Sequence, residues 1–186
     1  MPQDAAKAVE WFEKAASRKD LGAVMELGIM FRDGKYLPPD REKAFHWFEK
    51  GAEWKDPYSM AALADMLLEG TPSAEQAARA LALYREAAAA GYFPAALKAA
   101  ELLQNGKGGE LDADEAYRLL RRVADATGDP KAMYMLAQVY YTRGDEAQGD
   151  SLMKASAQAA YLPAMNRMAR LHLCLLYTSD AADDLT

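Results

Sequence analysis

The stretch LGIMFRDGKYLPPDREKAFHWFEKGA (27–52) decides the fold. Gly34 stands where the left-handed residue after a helix usually stands, and Asp40 stands where a carboxylate caps the next helix. On either side of this punctuation, apolar residues recur at helical spacing. Leu27 and Phe31 form one stripe, and Ala44, Trp47, Phe48 and Gly51 form the facing one. The stretch therefore predicts two helices folded into a hairpin.

Working outward, the second half of the hairpin recurs. AVEWFEKAA (8–16), AFHWFEKGA (44–52), ALALYREAA (80–88) and AYRLLRRVA (116–124) superpose without gaps at a 36-residue offset, and GDSLMKASA (149–157) follows after 33. These are the B helices. Between them lie the A helices, AVMELGIMFRDG (23–34), SMAALADMLLEG (59–70), AALKAAELLQNG (95–106), AMYMLAQVYYTRG (132–144) and AMNRMARLHL (164–173). Gly34, Gly70, Gly106 and Gly144 close the A helices. Asp4, Asp40 and Asp112 are expected N-caps, Ser73 and Gln76 match a capping box, and Pro57, Pro94, Pro130 and Pro163 fall at the start of A helices. Gly28, Ala64, Ala100, Ala137 and Ala169 occupy one equivalent position, where small side chains let A and B approach closely. A period of this length predicts an all-α solenoid of stacked helix hairpins.

Composition narrows the function classes. The net charge is −6, or −3 without Asp180, Asp183 and Asp184 near the C-terminus, and bases alternate with acids along the helices. Nucleic-acid binding needs clustered cations, and RLLRRV (118–123), the densest basic patch, reads as a solvated helix face. No run of about 18 apolar residues is present, so no membrane insertion is expected. The first residues, MPQDAAKAVEW, lack the basic start and apolar block of a secretion signal. The one cysteine, Cys174, lies outside the repeats.

The segment 27–52 resembles the Sel-one-like repeat (SLR), a tetratricopeptide-like family. It shares LG, an aromatic and a glycine, a Pro-Asp pair, then KA, Trp-Phe and a KAA-like end. PQDAAKAVEWFEKAA (2–16) matches the second half, and later copies drift to Leu83-Tyr84 and Leu119-Leu120. The resemblance implies a right-handed superhelix acting as an adaptor or scaffold for protein complexes. It places a half repeat at 2–18, repeats at about 21–55, 57–91, 93–128 and 130–160, and a half repeat at 163–173, all in one domain, 1–173. Because Met1 aligns with Leu37, ahead of a B helix, either the helix at 4–17 serves as an improvised cap or the chain is an interior fragment of a longer scaffold. Any targeting signal would then lie further upstream, so the sequence assigns no compartment. CLLYTSDAADD (174–184) has no counterpart in the repeats and resembles a translated sequencing adapter, so 174–186 is read as an artefactual tail.

Chemistry-bearing motifs are sparse. His46 and His172 are more than three repeats apart, no HExxH or comparable metal spacing occurs, and NGKGGE (105–110) lacks the phosphate-loop pattern. The expectation is no catalytic residue, no metal and no cofactor. His46 reads as a packing residue beside Trp47. Asp112, Asp114 and Glu115 enrich a helix N-terminus. Trp11 and Trp47 are expected in the core, and Trp54, beyond the B pattern, is the better candidate for an exposed contact.

In arrays of this class the A-helix face opposite its B partner lines the inner groove. Steps of three and four residues place Met25, Ile29 and Arg32 there, then Ala61, Asp65 and Leu68, then Leu97, Glu101 and Gln104, then Tyr134, Gln138 and Tyr141, and finally Asn166 and Arg170. The partner expected is a protein, as a peptide or helix laid in the groove, with no nucleic acid and no small-molecule substrate. An alternative is an accessory repeat domain of a longer enzyme or membrane-associated protein. A lesser one is a β-lactam-binding or hydrolysing enzyme, implied by cysteine-rich relatives whose paired cysteines these repeats lack.

Overall fold

The structure, a computed structural model, describes the backbone of residues 2–109 and 111–183 and the side chains of 4–109 and 111–173. Among these residues there are ten helices and no strand: α1 (Pro2–Ala16), α2 (Leu21–Asp33), α3 (Arg41–Glu53), α4 (Pro57–Leu67), α5 (Ala74–Ala89), α6 (Phe93–Asn105), α7 (Ala113–Thr127), α8 (Pro130–Thr142), α9 (Glu146–Gln158) and α10 (Leu162–Asp183). They fall into two compact units, residues 1–111 with α1–α6 and residues 112–186 with α7–α10. Within each unit every helix packs on its neighbours in sequence, as a solenoid of stacked hairpins requires.

Local chemistry sets the helix ends. Asp20, Asp40, Asp56, Asp112, Asp129 and Asp145 each accept the backbone N–H three residues on, at 2.7–3.2 Å. Each such cap contributes about 1 kcal/mol. Ser73 and Gln76 form the reciprocal box, at 3.1 and 2.8 Å. Asp4 does not cap: α1 begins at Pro2, a residue suited to a first turn, so Asp4 lies inside that turn, where its charge still complements the helix dipole. Gly34 and Gly106 cap α2 and α6 with φ of 65° and 67°, whereas Gly70 and Gly144 lie just beyond the cap residues Leu68 and Arg143.

The repeat register becomes a set of core columns. Phe48, Tyr84, Leu120 and Met153 occupy one B-helix position, and each is at most 1% exposed. Ala44, Ala80 and Ala116 are fully buried at another, where Gly149 stands in the last copy. On the A side Gly28, Ala64, Ala100 and Ala137 are buried. A Cβ on Gly28 would run into the Phe48 ring, so the absent side chain makes room for that ring.

Expectations about the burial of four side chains need correction. Trp11 is 68% exposed rather than core, because α1 packs chiefly on α2 while α3, carrying the equivalent Trp47, has α2 and α4 on either side. Trp47 itself is half-buried beneath the Lys50 ammonium, and Trp54 is half-buried as the residue capping α3. Ala169 is exposed, since α10 packs on α9 through Ala164 and Met168 instead. The helix α10 itself continues to Asp183, past the end of the repeat pattern. Residues 184–186 and the side chains of 174–183, on which the adapter reading falls, lie outside the described residues.

Candidate functional site

In the first unit the site grows from one charged residue in an apolar helix. Asp65 is the sole ionised side chain of α4, PYSMAALADML. Tyr84 on α5 takes the column position held by Phe48 one repeat earlier, and its hydroxyl therefore needs a partner when buried. It donates to Asp65 Oδ1 at 2.5 Å, and Lys98 Nζ on α6 lies 2.9 Å from the same oxygen. Burial pushes the Tyr84 pKa up strongly, and the Asp65 carboxylate adds to the shift, so the phenol stays a donor. Asp65 and Lys98 are each about half exposed, so the ion pair adds little stability. Its effect is to fix three helices at one point.

Two clefts open around this point. The smaller, about 180 Å³, is lined by Ala61, Ala62 and Ala95, by the rings of Tyr58 and Tyr92, and by Arg32, Asp65 and Lys98. The two rings meet edge-on with centroids 6.1 Å apart. Arg32 is tied to Asp33 at 2.7 Å, which raises the guanidinium pKa and lowers that of Asp33. The larger cleft, about 700 Å³, brings Asp65, Leu68 and Glu101 together with Lys98, Lys107 and the loop that begins α5. Neither cleft is lined by Met25, Ile29 or Gln104, which are half-buried on α2 and α6. Ala61, expected on the open face, is only 7% exposed. Tyr58, Tyr84, Tyr92 and Lys98 were missed by the sequence reading. A lone acid in an apolar helix and a tyrosine in a phenylalanine column were the signals for them.

In the second unit Tyr134, Asn166 and Arg170 line a cleft of about 270 Å³ together with Pro163 and Arg167. The Tyr134 ring packs against Tyr161, with centroids 5.4 Å apart. Gln138 is half-buried on α8. Tyr141 departs from expectation. It does not point away from its B partner: its ring covers Gly149 on α9, where any Cβ would collide, and its hydroxyl donates to Asp150 at 2.7 Å. Burial and then that carboxylate push its pKa up to about 12, and the Arg167 guanidinium lies 4.7 Å from the ring centroid. Elsewhere on this unit Arg118, Arg121 and Arg122 are exposed, and Arg121 reaches Asp125 at 3.6 Å, as a solvated face would have it.

His46 is exposed, with its ring edge-on to Trp47 at 5.5 Å. Among the described residues no three His, Cys, Asp or Glu side chains cluster as a metal site requires, and no helix is long and apolar enough to cross a membrane.

No curated protein sequence matches the chain. The crystal structure of a protective antigen present in uropathogenic Escherichia coli strains, displaying an SLR fold, superposes with a TM-score of 0.75 at 28% identity, covering 87% of this chain and 35% of that one. The chain thus spans about a third of that protein's length. A Sel1 repeat protein from Oxalobacter formigenes gives 0.72 at 25% identity, covering 90% and 68%. MamA, at 14% identity and a TM-score of 0.56 over 87% and 89%, shares the fold. The Sel1 repeat profile matches residues 1–20, 22–53, 57–92, 94–127 and 130–155, and the chain belongs to the Sel1 repeat family of α-solenoids.

Proposed function

We propose that this chain is a scaffold that holds a partner peptide or helix along the A-helix faces of its repeats. Proteins of the family are generally protein-interaction scaffolds, and the fold is typically non-catalytic. The observation that carries the reading is the larger of the two clefts around Asp65. There a hydrophobic residue, Leu68, sits among Asp65, Glu101, Lys98 and Lys107 at the junction of two hairpins, a mixture that suits an amphipathic segment better than a small apolar ligand. The repeat domain is taken to end at 173.

Leu68→Asp combined with Glu101→Lys reverses both the apolar and the acidic character of this cleft. Affinity for a purified native partner should drop by about tenfold or more, the cost of truncating an interface anchor. Glu75→Lys, on the exposed first turn of α5, should leave it unchanged. Equal binding by all three proteins would contradict the proposal.

A further inference from the structure

We infer that Tyr134, Pro163, Asn166, Arg167 and Arg170 of the second unit form an oxyanion pocket for a carboxylate or phosphoryl group carried by a protein partner. That the group belongs to a protein rests on the scaffold reading above.

The cleft of about 270 Å³ is lined by two guanidiniums, an amide, a phenol and a proline, with no acid. Arg32, Arg41, Arg79, Arg121 and Arg143 each form an ion pair with a carboxylate. Arg167 and Arg170 form none among the described residues. Asp150 is engaged by the Tyr141 hydroxyl and makes no ion pair with Arg167.

Position adds to this imbalance. The cleft lies beside the first turns of α10, whose first turn carries no acidic residue, and the partial positive charge of a helix start favours an anion there. The arrangement is also partly held in place. Arg167 rests on the Tyr141 ring, itself fixed to Asp150 and Gly149, and Tyr134 is braced by Tyr161. A guanidinium fork presents paired N–H donors matched to two oxygens of one group, and Asn166 and the Tyr134 hydroxyl can supply further donors.

Titration of the full chain with inorganic phosphate and with acetate at constant ionic strength, followed through arginine Nε–Hε NMR signals, tests the pocket. Saturable shifts are expected at Arg167 and Arg170 and not at Arg121, and Arg167→Gln with Arg170→Gln should weaken the response at least tenfold without changing the circular dichroism. Linear shifts shared equally by all arginines would overturn the pocket. Capped Gly-Glu-Gly and Gly-phosphoserine-Gly peptides then distinguish the source: tighter binding of one names the group. Saturation by the small ions with neither peptide bound would overturn the assignment to a protein partner while leaving the Leu68 and Glu101 test of the first unit independent.

Discussion

At the scale of single residues, packing rather than residue type decides what matters. Gly28 is buried against the Phe48 ring, so Gly28→Ala should destabilise the protein by about 1–3 kcal/mol through overpacking, despite the better helix propensity of alanine. Ala100→Leu, at a fully buried position of the same column, should cost a similar ~1–3 kcal/mol. Urea unfolding reads both, and an unchanged midpoint for either would remove the close-packed column from the account. The two aromatics separate in the same assay. Phe48→Ala should cost about 3–5 kcal/mol, whereas Trp11→Ala, at a largely exposed site, should fall within about 0.5 kcal/mol of wild type. The small-residue column and the helix caps at Asp40, Asp112 and Ser73 were legible from period and spacing alone. Trp11 was not, because the repeat pattern gives the side chain a position without saying whether a second helix stands beside it.

At the scale of helices, contacts between successive hairpins recur. In the first unit Arg79 on α5 reaches Glu49 on α3 at 2.7 Å, Lys55 after α3 reaches Glu86 on α5 at 2.8 Å, and Lys98 on α6 reaches Asp65 on α4. These pairs are exposed, so each contributes at most about 1 kcal/mol and fades with salt. The buried Tyr84 hydroxyl is different. Its pKa is raised in the folded state, so its contribution is intact below the unfolded value of about 10 and is lost as pH climbs beyond it. The urea midpoint should therefore fall between pH 8 and pH 11, and it should fall less in Tyr84→Phe. An equal fall in the variant would show that Tyr84 does not couple folding to pH. The Tyr84–Asp65–Lys98 junction was invisible to a period search, since it joins residues 19 and 33 positions apart in sequence through features that break the repeat. Tyr141 eluded the face assignment for a related reason. Helical spacing fixes the direction of its Cα–Cβ bond, but the glycine at 149 lets the long ring lie across α9.

At the scale of the whole molecule, nearest-neighbour packing means that each unit carries its own core. Residues 1–111 contain five successive helix–helix interfaces, the buried Phe48 and Tyr84 of one column and both clefts around Asp65. Expressed alone, this segment should retain cooperative unfolding and helical circular dichroism, and a non-cooperative melt would count against it as a self-sufficient unit. The solenoid supplies surface, and we propose that a partner lies on its A-helix face. The most direct measurement places a photo-crosslinking amino acid at Leu68 on that face, and in parallel at the exposed Ala82 of α5, in the full chain mixed with a native partner. A discrete crosslinked product that disappears with Glu101→Lys is expected from position 68, and none from position 82. Crosslinking from position 82 alone, or equally from both and insensitive to Glu101, would contradict it.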